Sequence, residues 1–216
     1  MQIKVVLPNT QDWELAVRLV RYKYRSSFQA EVDPSPDCFI ACLEQDADGE
    51  ANPVACAGIT FSELTTLFSE QYLGEPVEVM IGRHQNKEVS RNAIIEVGSL
   101  ASIKGQAGSE LVRVMPLLGW CMGKEFILCT ATKQLRALLE REGIRFIPLC
   151  PAHDSALEES MRQRWGSYYD QAPQTGFISL ASSMAGLAHQ TGRYRFDNIV
   201  VNLNPWPEEV AEYAVA

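Results

Sequence analysis

Histidine is scarce and badly placed for metal chemistry. His84, His153 and His189 lie far apart in the chain, and neither they nor the cysteines show ligand spacing, so no metal site is expected. Basic residues are outnumbered, 19 Lys and Arg against 27 Asp and Glu, for a net charge of -8. They are scattered rather than gathered into a run, which argues against a nucleic-acid surface and against attraction to an anionic bilayer. Long apolar runs are also missing. No stretch approaches the ~20 residues of a membrane-spanning helix, and the N-terminal residues lack the apolar segment of a signal peptide. The six cysteines, Cys38, Cys42, Cys56, Cys121, Cys129 and Cys150, fall mostly inside apolar runs, where a thiol acts as a small hydrophobe. The expectation is a cytoplasmic protein with free thiols.

What is present is ordinary for a globular chain: 216 residues, 46% hydrophobic and 21% charged, enough for a substantial core. No repeat or linker divides it, so one domain over residues 1–216 is expected, less regular from about residue 182. Gln2 to Leu7 alternates as a strand does. Asn9 or Thr10 can then cap a helix with Trp13, Val17, Val20 and Tyr24 at helical spacing, its other face carrying Arg18, Arg21 and Arg25 as solvated charge. CFIACLE (38–44) and PVACAGITF (53–61) read as a hairpin across an acidic, glycine-bearing loop. LFSEQYL (67–73) reads as a short excursion and GEPVEVMIG (74–82) as a return to the sheet.

The organising stretch is RNAIIEVGSLASIKGQAGSELVRVMPLLGW (91–120). Ile94, Ile95, Val97 and Leu100 make a strand, with Glu96 set among them although an ionised carboxylate is costly to bury. Gly105 and Gly108 open a helix whose Leu111, Met115, Leu118 and Met122 share a face. Its start offers free N–H groups to an anion or a polarised carbonyl, and Pro116 is expected to kink it. Next come a strand at 126–132, a helix capped by Thr132 and closed by Gly143, a strand at 145–149 and helix-like polarity at 150–160. An aromatic loop at 165–173 precedes strands at 176–180 and 198–203. The sum is a mixed α/β sheet flanked by helices.

Four motifs, LFSEQYLGEPVE (67–78), IIEVGSLAS with the nearby Gly105, CTATKQLRALLEREGI (129–144) and WGSYYDQAP (165–173), together resemble the thermostable hemolysin family over residues 10 to 180. That family resembles a branch of the acyl-CoA N-acyltransferase (GNAT-like) fold, which includes the acyl-homoserine-lactone synthases. The resemblance implies a central strand splayed from its neighbour, with Leu100, Ala101 and Ser102 offering backbone groups to a pantetheine arm. It also implies a pyrophosphate turn at Lys104 to Ser109. In that turn Gly105, Gln106, Gly108 and Ser109 are the positions concerned, but Gln106 stands where a second glycine is expected. The implied co-substrate is acyl-CoA or an acyl carrier protein's acyl-phosphopantetheine, with no covalently bound cofactor. The implied partner is a small-molecule acceptor, which Glu78 and Arg91 would help recognise as charged residues do in lactone synthases.

The residues themselves leave alternatives open. Glu96 can be the base that takes a proton from an attacking amine, or a structural ion-pair partner of Arg91 or Arg136. Trp165, Tyr168 and Tyr169 can wall an acyl tunnel, with Tyr168 as proton donor to a leaving thiolate, or can pack as core. Thr130 and Thr132 can donate hydrogen bonds into a pocket, or Thr132 can serve only as a cap. Cys129 reads as a core thiol more readily than as a nucleophile. The function expected is transfer of an acyl group from a thioester to an amine or other small nucleophile. The other readings are a membrane-active lytic protein and a non-catalytic acyl-ligand-binding protein of the same fold.

Overall fold

The computed structural model describes residues 1–45, 47, 49–187 and 192–195. Strand β1 (Gln2–Val6) leads into helix α1 (Gln11–Phe28), which begins where the Thr10 side chain accepts from the Trp13 N–H and ends at Gln29 in the left-handed conformation. Ala16, Val17, Leu19, Val20 and Tyr24 form its buried face, the 3.6-residue stripe that makes an amphipathic helix stable on a sheet. Arg18, Arg21 and Arg25 lie exposed on the other side.

Strands β2 (Cys38–Gln45), β3 (Ala51–Phe61) and β4 (Ile94–Ser102) continue the antiparallel meander. Segment 74–82 does not return to the sheet. Residues Val77–Gln85 form helix α2, because Pro76 fixes the entry and Val77 and Ile81, four residues apart, bury the same face while Val79 stays exposed. The Leu67–Leu73 excursion is a 3-10 turn, Phe68–Tyr72.

Helix α3 (Gly105–Cys121) crosses from β4 to β5 (Phe126–Ala131), which pairs with β4 in parallel. It runs unbroken across Pro116. Helix α4 (Lys133–Arg141) comes next, with Thr132 capping it through the Leu135 N–H. Strand β6 (Phe146–Pro151) then claims Cys150, so the helical polarity expected from 150 resolves into a 3-10 turn at Asp154–Ala156 and α5 (Glu159–Arg164). Strand β7 (Gln174–Ser179) leads into α6 (Leu180–Leu187). The sheet order is β1-β2-β3-β4-β5-β7-β6; β7 inserts antiparallel between β5 and β6. The strand expected at 198–203 lies outside the described residues.

The sheet is covered on both faces, as side chains alternate along each strand. Ile95 joins Leu111, Val112 and Met115 of α3, Leu139 of α4 and Ile127 of β5 on one face. On the other, Phe39 and Ala41 meet α1, and Ile94, Phe126 and Leu128 meet Val77 and Ile81 of α2. Glu96, two residues beyond Ile94, shares this second face.

Candidate active site

The parallel pairing of β4 with β5 stops early. Ile94, Ile95 and Glu96 face Phe126, Ile127 and Leu128, while β5 continues to Ala131 against β7. Residues 97–102 of β4 therefore leave their neighbour. A bulge helps: Cys56 faces Ala101 and Gly58 faces Gly98, so Ser99 and Leu100 together oppose the single Ala57, and Ser99 takes a φ of 50°. An extra residue bends a strand and re-aims the residues beyond it.

Two cavities meet in this opening. One, of about 120 Å³, lies toward α3 and α4 and is walled by Val97, Leu100, Val112, Met115, Leu135 and Ile178 among others, with no charged residue. The second, of about 340 Å³, is walled by Glu96 and the aromatics Tyr24, Phe68, Tyr72, Trp165 and Tyr168, with Glu31, Asp33 and Arg164 farther along. Tyr24, Val97, Gly98, Ser99, Thr130 and Tyr168 line both.

Glu96 is 5% exposed. Its expected ion-pair partners are engaged elsewhere: Arg136 donates to Gln174 Oε1 at 2.6 Å, and Arg91 holds Glu70 and Glu78. Instead, Oε1 of Glu96 accepts from the Ser69 N–H at 3.0 Å and from the Ser69 hydroxyl. Burial pushes the carboxyl above the usual carboxylate range, the Ser69 bonds pull it back, and the nearby Glu70 charge adds to the rise. A buried carboxyl raised in this way, with neutral donors around it, is a suitable proton acceptor.

Arg91 grips Glu70 with both terminal nitrogens, at 2.8 and 2.7 Å, reaches Glu78 at 3.0 Å and donates from Nε to the Ser62 carbonyl at 2.9 Å. Glu70 Oε2 also accepts from the Leu67 N–H at 2.8 Å. The Arg91 guanidinium holds the Glu70 carboxyl below the usual range. Neither Glu78 nor Arg91 lines the two cavities. Their place in the molecule is the clamp on the 3-10 turn that carries Ser69.

Tyr168 is 8% exposed, stacked beside Tyr24 and edge-on to Phe28. Its hydroxyl donates to the Thr130 carbonyl at 3.3 Å, and burial, with Tyr24 next, drives its pKa well up, so the phenol stays protonated. Trp165 packs on Tyr168 and Phe68. Tyr169 lines neither cavity but buttresses the wall of the second, its hydroxyl 2.5 Å from that of Tyr72 and its ring against Trp165 and Tyr168. Cys129 is a wall of the apolar cavity, and burial pushes its thiol up to about 12, which disfavours the thiolate a nucleophile requires.

At the other end of the opening, Ala101 is buried against the α1 face and Leu100 lines the apolar cavity. The Ser102 hydroxyl donates to the Lys104 carbonyl at 2.6 Å. No side chain caps the start of α3. Gly105 and Gln106 lie at the surface, and Ser109 Oγ accepts from Arg141 at 2.9 Å. Gly108 packs closely on Ser102: a Cβ there would stand 3.0 Å from Ser102 Oγ, so a larger residue would require that side chain to shift by a few tenths of an ångström. Reading along the chain misses Ser69, Tyr72 and Ser99. Ser69 lies within LFSEQYL, but its partner is 27 residues away.

A mixed seven-strand sheet with helices on both faces, opened between its two parallel strands, defines the acyl-CoA N-acyltransferase fold. Solved structures with that fold align over nearly the whole chain at low identity. They include the AHL synthase LasI (TM-score 0.55, 14% identity, 94% of this chain and 98% of that one) and the CoA-dependent acyl-homoserine lactone synthase BjaI with MTA (0.56, 12%, 97% and 97%). FeeM, an N-acyl amino acid synthase from uncultured soil microbes, aligns similarly (0.55, 12%, 86% and 99%). The chain belongs to the thermostable hemolysin family, whose sequence model matches residues 6–184. No curated protein sequence matches it. Among the described residues, no helix is long and apolar enough to cross a membrane.

Proposed function

We propose that the protein is an acyltransferase that moves an acyl group from a thioester, acyl-CoA or an acylated carrier protein, to a small amine or comparable nucleophile. The observation that carries this reading is the meeting of an uncharged cavity with a polar, aromatic one at the β4–β5 opening, with Glu96 on the polar side. The uncharged cavity takes the acyl chain. The pantetheine arm lies along the backbone of Leu100, Ala101 and Ser102, whose N–H groups polarise the thioester carbonyl. Gly105, Gln106, Gly108 and Ser109 receive the phosphate end at the open start of α3. The acceptor enters the aromatic cavity past Trp165, with Thr130 and Thr132 on the side of the thioester.

Glu96 removes the proton of the amine as nitrogen bonds to the carbonyl carbon. The tetrahedral intermediate then expels sulfur, leaving an amide and a thiol. Tyr168, which stays protonated and lines both cavities, is one candidate donor to the departing sulfur. The reading is supported by a fold shared with enzymes that use acyl donors, and by the raised carboxyl.

The test is turnover of a panel of acyl-CoAs and acyl-carrier proteins with amine acceptors, read as acceptor-dependent thiol release. Neither cleavage nor binding of any thioester would sink the proposal. Unchanged turnover in Glu96→Gln would remove the base assignment alone.

A further inference from the structure

Glu96 does not stand alone in its polar surroundings. The Ser69 hydroxyl that bonds it lies 2.8 Å from Thr130 Oγ1, and Thr130 Oγ1 lies 2.8 Å from Thr175 Oγ1. Each hydroxyl owns one hydrogen, and an ionised carboxylate only accepts. With Glu96 ionised, Ser69 donates to Glu96, Thr130 donates to Ser69 and Thr175 donates to Thr130. The three protons are thereby aligned in one direction, toward the carboxylate. Ser69 is 1% exposed and Thr175 is 0% exposed, so bulk water does not compete for these bonds at either position.

The ends of the chain open onto different places. Glu96 lines only the aromatic cavity, whereas Thr130 lines both it and the uncharged one. The other hydroxyl-bearing residues that line the uncharged cavity are Tyr24, Ser99, Thr132 and Tyr168. Tyr168 gives its hydrogen to the Thr130 carbonyl, Thr132 accepts from the Leu135 N–H, and the hydroxyl that bonds Glu96 is that of Ser69, which reaches this cavity's lining through Thr130. Thr130 is the lining hydroxyl that reaches Glu96 through one intermediate.

Resting on the acyltransferase reading above, we propose that Ser69 and Thr130 form a proton relay that returns the proton taken by Glu96 to the departing sulfur. The balance is closed. The amine loses one proton to Glu96, and the protonated carboxyl can then donate, so Ser69 turns its hydrogen from Glu96 to Thr130 and Thr130 turns its own from Ser69 to the sulfur. Glu96 then passes its proton to Ser69 Oγ, Ser69 passes its own to Thr130 Oγ1, and Thr130 gives its hydrogen to sulfur as the carbon–sulfur bond breaks. One acyl–sulfur bond is exchanged for one acyl–nitrogen bond, the thiol leaves neutral, and every hydroxyl and the carboxylate recover their starting forms. Neutral departure matters because a thiolate released into a cavity without a charged residue would be poorly solvated. Tyr168 as the sole donor would leave a buried phenolate and a protonated Glu96 with no path between them. Thr130 is thus a catalytic residue and Ser69 a positioning and relay residue.

The experiment compares two acyl donors with the same acyl chain. One has an alkyl thiol leaving group like that of pantetheine, which benefits from protonation; the other has an activated aryl thiol, which leaves readily as the anion. In the full-length protein, Thr130→Val should lower kcat at least tenfold on the alkyl thioester and less than threefold on the aryl thioester. Ser69→Ala, which also takes a hydrogen bond from Glu96, should slow both donors, with the alkyl rate falling at least threefold further than the aryl rate. Thr130→Ser, which keeps the hydroxyl, should restore most of the alkyl rate. Glu96→Gln should be impaired on both donors, because attack still needs the base.

Equal defects on both donors in the two hydroxyl variants would overturn the relay and leave the acyltransferase reading standing. So would a leaving-group-dependent defect in Tyr168→Phe with none in Thr130→Val, which would place the donor at Tyr168. A wild-type protein that turns over neither donor would overturn both proposals. Melting curves of each variant accompany the kinetics. A loss of fold in Thr130→Val transfers the decision to Ser69→Ala and Thr130→Ser, for which equal rates on the alkyl donor would overturn the relay.

Discussion

The two cavities that meet between β4 and β5 are built by opposite rules. The one toward α3 and α4 is made of side chains already committed to the core: Val112 and Met115 of α3, Leu139 of α4 and Ile127 of β5 all belong to the main apolar cluster. It is a gap in the core, and its shape is set by how large those residues are. The one toward α1 is made largely of loops and turns around a single buried carboxyl, and Glu96, Tyr72, Thr130 and Tyr168 there are each held by a named hydrogen-bond partner. The first can be altered by changing volume. The second is sensitive to single hydrogen bonds, since a buried polar group that loses its partner bears its full desolvation cost.

Four measurements break or sharpen that contrast. The largest effect is expected from Glu96→Gln, which removes the proton acceptor and should lower kcat by about 100-fold or more, with acyl-donor affinity unchanged as measured by equilibrium binding. An equal loss of donor binding would show that the two cavities are not functionally separate.

Next is Arg91→Ala. It frees Glu70 and Glu78 from their shared cation and releases the turn carrying Ser69. Since Arg91 is partly solvated, the cost should be about 2 kcal/mol in denaturant unfolding, with a larger fractional loss of acceptor turnover than of donor binding.

Filling the uncharged cavity with Met115→Trp should lower turnover of long acyl donors about tenfold relative to short ones, leaving the acceptor KM unaltered. A uniform loss across chain lengths would argue that this cavity does not hold the acyl chain.

The smallest effect is on stability against pH. Burial raises the folded-state pKa of Glu96, so the native chain keeps a proton that the unfolded chain has released. Stability from this group therefore falls as pH rises from the ordinary Glu value, about 4.3, toward the raised one. Glu96→Gln lacks that loss. Its melting temperature should equal or trail that of the wild type at acid pH and exceed it by about 2–4 °C near neutrality.

Much of the frame is legible from the chain. The α1 stripe at Trp13, Val17, Val20 and Tyr24, the Thr132 cap, the hairpin of β2 and β3 and the strand–helix unit at 94–121 all rest on local periodicity or capping, which neighbouring residues determine. Segment 74–82 reads as strand because Val77, Val79 and Ile81 alternate. A helix through the same residues buries Val77 and Ile81 and exposes Val79, and only the surface offered by Ile94, Phe126 and Leu128 decides between them. Glu96 stands out in the sequence as a carboxyl set into an apolar strand, and charge complementarity points to arginines as its partners. The turn at 68–72 satisfies it with neutral donors instead, and Arg91 is used to hold that turn.

By itself the sequence determined the alternation that makes the strands, the stripes and caps that make the helices, and the presence of one carboxylate where a strand should be apolar. These depend on residues within a few positions of each other. The tertiary structure alone decided that β7 inserts between β5 and β6, that a bulge at Ser99 parts β4 from β5, and that Ser69, Thr130 and Thr175 line up behind Glu96. The bonds of that polar row join residues 27 to 61 positions apart. Contacts over such separations leave no periodic mark in the sequence, because they are selected by which faces remain to be buried once the local elements have formed.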